Sequence, residues 1–176
     1  MAWGQGELIA TPAAVARIAS GIANNGTMMQ SRYVLSVNGK KTNLQNGIPL
    51  ANDSAYAKLM TKYMIEQSAP KVFRLGIAVA GKTGTPERIL KSERINDGWY
   101  VFFAPEPKTK KHIVVCVRVE SCKGSSFAVQ IAGEHVVPVL REMGYMESFD
   151  KKQEKPLKPL IDSIKTNRNQ LAVNER

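Results

Sequence analysis

Between Thr11 and Gly26 apolar residues recur at helical spacing, with Val15, Ile18, Ala19 and Ile22 on one face. Thr11-Pro12 has the form of a helix start, a hydroxyl at the N-cap followed by proline at the first helical position, and Asn24-Asn25-Gly26 supplies the stop. Ahead of this helix, Trp3-Gly-Gln-Gly6 is a glycine-punctuated entry. Tyr33 to Val37 alternates weakly and ends on Asn38-Gly39, a turn signal, and Lys40 to Leu50 reads as loop. Asn52-Asp53-Ser54 then predicts the cap of a second helix through Gln67, with Ala55, Leu59, Tyr63 and Ile65 as a partial apolar face and Pro70 as its end.

Beyond Pro70 the pattern changes to that of strands. Ile77 to Ala80 runs into Gly81-Lys-Thr-Gly-Thr85, Gly98 to Ala104 is aromatic, and Ile113 to Val119 is rich in β-branched residues. The gaps between them carry turn residues and charge and are too short for helical crossovers, so the predicted topology is an antiparallel meander. Phe127 to Met143 predicts a closing helix that ends at Gly144, with Pro138 as a kink. After Tyr145 the chain turns to Lys, Glu, Asn, Gln and Pro, the composition of a solvated or flexible tail. The expected fold class is α/β of the α+β type, an antiparallel sheet flanked by helices. It occupies residues 1–146, with a basic tail over residues 147–176.

Composition narrows the class. A chain of 176 residues with 43% apolar and 23% charged residues is ordinary for one globular domain, which excludes a mostly disordered or collagen-like protein. The net charge of +10 suits an anionic partner without choosing among nucleic acid, lipid headgroups and wall polymer. Lys108, Lys110 and Lys111, and the basic residues from Lys151 onward, have no aromatics interleaved with them, so no nucleic-acid partner is expected. No apolar run reaches the ~18–20 residues of a membrane helix, and the first residues lack a signal-peptide pattern, so no anchor is expected within these residues. His112, Cys116, Cys122 and His135 lack the close cysteine pair of a zinc set, and neither metal nor cofactor is expected.

Candidate chemistry centres on Gly76-Ile-Ala-Val-Ala-Gly81-Lys82-Thr83, which spells the phosphate-cradling P-loop pattern. Its four central residues form an apolar run suited to a strand rather than a bent loop, and Gly84 and Pro86 interrupt any helix starting at Lys82. The competing reading makes Lys82-Thr83-Gly84 the end of a strand at a sheet edge.

The flanking segments favour the second reading. Val79-Ala-Gly-Lys-Thr-Gly-Thr-Pro86, Asp97-Gly-Trp-Tyr-Val-Phe-Phe-Ala-Pro105 and Ile113-Val-Val-Cys-Val-Arg-Val-Glu120 resemble, in order and spacing, the transpeptidase domain of penicillin-binding proteins. Gly4-Gln-Gly6, Thr11-Pro12 and Ala23-Asn-Asn-Gly26 look like the segment that precedes the K-T-G strand in the anchored, monofunctional class B members. The resemblance covers residues 3 to 145. It implies D,D-transpeptidase chemistry, in which a serine of an S-x-x-K motif attacks the penultimate D-Ala carbonyl of a peptidoglycan stem peptide and a second strand's amine resolves the acyl-enzyme; β-lactams acylate the same serine.

For this chain the resemblance implies that Lys82 places a cation beside the substrate carboxylate and supports proton transfer. Thr83 and Thr85 offer hydroxyls to that carboxylate, and the Thr85 N–H is half of an oxyanion hole. Gly84 lets a substrate backbone lie against the strand, while Gly4, Gln5, Gly6 and Trp99 support the site. Trp99, Phe102 and Phe103 are otherwise expected in strand and core packing.

Two elements of the family pattern depart from this. The family's S-x-x-K and S-x-N motifs lie upstream of the Gly-Gln-Gly block, which here begins at residue 4. Ser68-Ala-Pro-Lys71 spells S-x-x-K, but Pro70 sits where the helix must continue, and Ser36-Val-Asn38 spells S-x-N in a strand-and-turn stretch. Both are decoys. The expectation is therefore the C-terminal half of a transpeptidase domain, inactive alone, with the outer edge of the Ile113 to Val119 strand unpaired. Its expected partners are stem peptide, β-lactams, the missing N-terminal half and other wall-synthesis proteins, at the extracytoplasmic face of the cytoplasmic membrane. The alternatives are a non-catalytic module that binds wall peptide or a partner, and a P-loop nucleotide-binding protein.

Overall fold

In the computed structural model, which describes residues 9–43, 46–68, 79–104 and 113–145, helix α1 spans Pro12–Ala23. The Thr11 hydroxyl caps it by accepting from the Ala14 N–H at 3.1 Å, which satisfies one of the amides a helix start leaves unpaired. The helix stops at Asn24, and the chain turns through Asn25 and Gly26 at positive φ while the Gly26 N–H closes on the Gly21 carbonyl at 2.8 Å.

Four two-residue strands follow. β1 (Thr27–Met28) pairs with β4 (Ile48–Pro49), and β2 (Ser36–Val37) pairs with β3 (Lys40–Lys41) across the Asn38-Gly39 turn. Both turn residues have positive φ, as a tight hairpin requires. The stretch from Lys40 to Leu50, expected as loop, thus contributes two short strands. Nothing in their lysine, isoleucine and proline content announces them, because each is held only by its partner. Helix α2 (Ser54–Ser68) begins behind Asp53, whose carboxylate accepts from the Ala55 N–H at 2.8 Å. The expected stop at Pro70 lies outside the described residues.

The central sheet has three antiparallel strands. β5 (Ala80–Gly84) carries the Lys-Thr-Gly segment, and the following β6 (Glu87–Leu90) and β7 (Glu93–Asn96) form a separate hairpin. β8 (Gly98–Phe103) lies between β5 and β9 (Val114–Val119), so the sheet order is β5-β8-β9, the expected meander. The β6–β7 hairpin corrects the reading of that gap as turn and charge. Its strands are built of charged and aliphatic residues, and its turn uses Lys91 and Ser92 at positive φ instead of Asn-Gly.

The closing helix begins two residues earlier than expected and is not uniform. It comprises α3 (Ser125–Ile131), a π-helical turn (Ala132–Val136) and α4 (Val137–Glu142). The predicted kink at Pro138 takes the form of that π turn, in which the Val137 N–H reaches back to Ala132. At the end, the Tyr145 N–H bonds Leu140 at 2.8 Å and the Gly144 N–H bonds Arg141 at 2.9 Å, a Schellman closure.

β8 is buried on both faces, which explains its unbroken aromatic run. On one side Tyr100 and Phe102 pack with Val79 and with Ala128, Val129, Ala132, Val137 and Leu140 of the closing helix. On the other, Phe103 packs with Ala80 and Met64, against Ile22 and Ala23 of α1. β9 pairs with β8 along one edge; among the described residues its other edge has no strand partner. No described helix is long and apolar enough to cross a membrane.

Candidate functional site

Strand β5 sits at the sheet edge opposite β9. Pairing alternates along it: Lys82 lies across from Val101, Thr83 from Tyr100 and Gly84 from Trp99. The strand starts tight against the interior. Ser68, at the C-terminal end of α2, and Tyr100 on β8 are fully buried and share a hydrogen bond at 3.2 Å directly beneath Gly81. A Cβ at Gly81 would lie 2.5 Å from the Ser68 Oγ and 2.6 Å from the Tyr100 Oη, so glycine is required there by space. Burial pushes the Tyr100 phenol up to about 12, against the opposing effect of the Ser68 hydrogen bond.

From this anchor the strand runs outward. Lys82 is exposed, and its Nζ donates to the Thr83 carbonyl at 2.6 Å. Thr83 and Gly84 are half-buried, and Thr85 is exposed just past the strand end. The Thr85 hydroxyl accepts from the Ser125 N–H at the start of α3, at 3.1 Å. Gly124, at φ 135°, brings the loop so close that a Cβ there would stand 3.2 Å from the Thr85 Cγ2.

Beside Thr85 lies a cluster that sequence reading missed. Asp97, in the bend between β7 and β8, is 3% exposed and holds two arginines: Arg88 Nε at 3.1 Å on Oδ1 and Arg118 Nη2 at 2.8 Å on Oδ2. Oδ1 also accepts from the Ser121 N–H at 2.9 Å. Burial on its own would raise this carboxyl, but the hydrogen bonds from Arg118, Ser121 and Arg88 and the Arg88 charge bring it down to about 2. Arg118 also stands 5.4 Å from the Trp99 ring centroid, a cation–π arrangement, and reaches Glu120 at 2.9 Å. The Trp99 Nε1 is buried without a hydrogen-bond partner among the described residues.

The structure therefore brings Lys82, Thr83, Gly84, Thr85 and Trp99 to one end of one sheet. Gly4, Gln5 and Gly6 lie outside the described residues, as do Lys71 and His112. Ser68 of the S-x-x-K decoy is buried beneath Gly81 and bonded to Tyr100, away from any open surface. Ser36 and Asn38 lie in the small β2–β3 hairpin. Gly81-Lys82-Thr83 stands within a strand, which overturns the P-loop alternative, since phosphate binding needs a loop with inward-turned amides. Among the described residues no three His, Cys, Asp or Glu side chains come together as a metal set. A cavity of about 980 Å³ opens at the opposite end of the sheet, between α1 and the ends of β8 and β9, and contains none of the candidate site residues.

Comparison with known proteins gives one consistent result. A family model described as the penicillin binding protein transpeptidase domain matches residues 1–140. The D,D-transpeptidase domain of a peptidoglycan glycosyltransferase from Eggerthella lenta is similar at 26% identity and a TM-score of 0.60, over 77% of this chain and 33% of that one. PBP2 of Pseudomonas aeruginosa, solved in complex with WCK 5153, is similar at 22% identity and a TM-score of 0.61, over 86% of this chain and 34% of that one. Penicillin-binding protein 2B of Streptococcus pneumoniae shares 14% identity at a TM-score of 0.55, over 78% and 25%. The last two likenesses show the fold alone. The chain thus spans a quarter to a third of the length of these proteins. No curated protein sequence matches it.

Proposed function

This chain belongs to the penicillin-binding protein transpeptidase domain family, and from that premise we propose that it is the K-T-G-bearing C-terminal half of a D,D-transpeptidase domain. In this reading residues 1–146 are domain and residues 147–176 a basic tail. The nucleophilic serine is supplied by a preceding part of the domain, and this chain alone does not turn over substrate. That serine attacks the penultimate D-Ala carbonyl of a stem peptide and expels the terminal D-Ala. The amine of a second stem then attacks the ester, forms the cross-link and releases the serine. The protein works in the cell envelope, outside the cytoplasmic membrane, with β-lactams as substrate mimics.

The roles follow from position. Lys82, exposed on the edge strand, faces the substrate carboxylate as its counter-ion and assists proton transfer. The Thr85 N–H donates to the developing oxyanion, an interaction of ~3 kcal/mol in comparable sites. Thr83 and Thr85 contact the carboxylate, and Gly84 leaves the strand edge clear for a substrate backbone added as a further strand. Trp99 supports Gly84 from the paired strand.

The observation that carries the reading is the Lys82-Thr83-Gly84 segment on a strand with no pairing partner on its outer side among the described residues, within a family match over residues 1–140. The outer edge of β9, which has no strand partner among the described residues, supports the half-domain reading, because an apolar edge left open promotes aggregation. A purified chain that stays monomeric and unfolds cooperatively would count against it.

The test is labelling with a fluorescent penicillin, on the chain alone and on a form extended upstream to an S-x-x-K serine, with Lys82→Ala in both. Labelling of the extended form only, weakened by the substitution, is the expected result. Stem-peptide binding by an extended form that never acylates would instead establish a non-catalytic binding module.

A further inference from the structure

Three stretches of chain meet where β5 ends. The Pro86 carbonyl accepts from the Asp97 N–H at 3.1 Å, and the Asn96 carbonyl accepts from the Cys122 N–H at 2.8 Å. Arg88, two residues beyond Pro86, donates to the Asp97 carboxylate and also to the Ser121 Oγ at 3.0 Å. Residues 121–125 in turn reach Thr85 through the Ser125 N–H. A single carboxylate thus ties the β6–β7 hairpin, the start of β8 and the turn that leads into α3 around the residue whose N–H is the candidate oxyanion donor.

We propose that Asp97 is a positioning residue for the edge-strand site: by gripping Arg88, Arg118 and the Ser121 N–H, it fixes the point at which the chain leaves β5 and thereby holds Thr85 in place. The consequence for acylation rests on the transpeptidase reading; the geometry does not. An oxyanion donor acts only when held close to its productive position, within about 0.5 Å. Thr85 lies one residue past the last ladder pair of β5, Gly84 with Trp99. Among the described residues the hairpin beyond it pairs with no other strand. Arg88 and the Pro86–Asp97 backbone bond tie it to the rest of the fold. Arg118 has a second task, because it grips Asp97 from the opposite side while stacking on Trp99, the pairing partner of Gly84. The same carboxylate therefore aligns the strand end and the ring beneath it.

Arg88→Ala tests this without removing the buried carboxylate, since Arg118 and Ser121 still hold it. Hydrogen exchange on the upstream-extended protein reads the local effect. The expected result is exchange at the amides of Thr85 and the β6–β7 hairpin faster by roughly tenfold or more, the size of a lost charge-assisted hydrogen bond, with β8 and β9 unchanged. Arg88→Lys recovers part of the protection, and Arg94→Ala, which removes an 82% exposed arginine whose ion-pair partner among the described residues is Glu87, changes nothing at Thr85. In the extended protein, penicillin labelling of Arg88→Ala slows roughly tenfold while Arg94→Ala labels at the wild-type rate.

Unchanged exchange at Thr85 in Arg88→Ala overturns the proposal. So does loss of protection spread evenly over β8 and β9, which would mean a structural role only, or labelling at the wild-type rate with a loosened Thr85. If the wild-type extended protein never labels, the transpeptidase reading falls, and exchange at Thr85 alone decides whether Asp97 positions it.

Discussion

Replacing Gly81 with alanine tests the packing on which the edge strand rests. The new Cβ would meet the Ser68 Oγ at 2.5 Å, the Tyr100 Oη at 2.6 Å and the Tyr100 Cε2 at 2.9 Å, and neither neighbour has solvent to move into. Relief requires the end of α2 to retreat from β5 or the Tyr100 ring to turn within its packed core. Overpacking of this kind costs ~1–3 kcal/mol. Breaking the Ser68–Tyr100 hydrogen bond with both hydroxyls still buried adds ~1–3 kcal/mol. The expected loss is therefore ~2–6 kcal/mol, a large share of a typical ~5–15 kcal/mol domain stability. Urea denaturation followed by tryptophan fluorescence, on whichever form of the protein gives one cooperative transition, measures it.

A second substitution isolates the cause. Ser68→Ala removes the nearest clashing atom, so Gly81→Ala made in that background should be less damaging than in the wild type by ~1 kcal/mol or more. A loss below ~1 kcal/mol for Gly81→Ala alone, or additivity of the two changes within ~0.5 kcal/mol, would refute the packing argument.

Two further outcomes concern pH. With the Asp97 carboxyl lowered from 3.8 to about 2, its stabilisation of about 2 kcal/mol is present above pH 4 and lost as the pH falls from 4 towards 2. Acid titration of stability should therefore be flatter in that window for Asp97→Asn, and an unchanged profile would count against the carboxylate's role. Tyr100, raised from 10.0 to about 12 by burial, stabilises the fold fully below pH 10, and that contribution is lost as the pH climbs towards 12. Ultraviolet titration should show a late-ionising phenol that is absent from Tyr100→Phe.

What could be read in advance was what is local in the chain. The caps at Thr11 and Asp53 each act on an amide two or three residues away, so both helix starts were legible. β8 was legible because burial on both faces leaves no polar position to confuse its pattern. The β6–β7 hairpin was not, since Glu87, Arg88, Glu93 and Arg94 read as solvated charge and Lys91-Ser92 carries no glycine or asparagine. The Lys82 to Gly84 segment could be assigned to a strand end from its apolar lead-in. Asp97 could not be recognised, because its partners stand 9, 21 and 24 residues away and no local pattern links them. The contact between Thr85 and Ser125 spans 40 residues and is equally silent in sequence.

The π turn ahead of Pro138 has a consequence for how the closing helix counts its residues. Its buried positions run Ala128, Val129 and Ala132, then Val137 and Leu140, while Val139 is 51% exposed. In an unbroken α-helix the stripe would pass through Val136 and Val139 and slide off the sheet. The wide turn takes up one surplus residue, so both halves present their apolar sides to the same strands. The segment thus carries one residue more than the sheet asks of it. A single deletion between Ala132 and Val136 would let the turn narrow to ordinary α geometry with the stripe intact, a change in chain length that this packing absorbs.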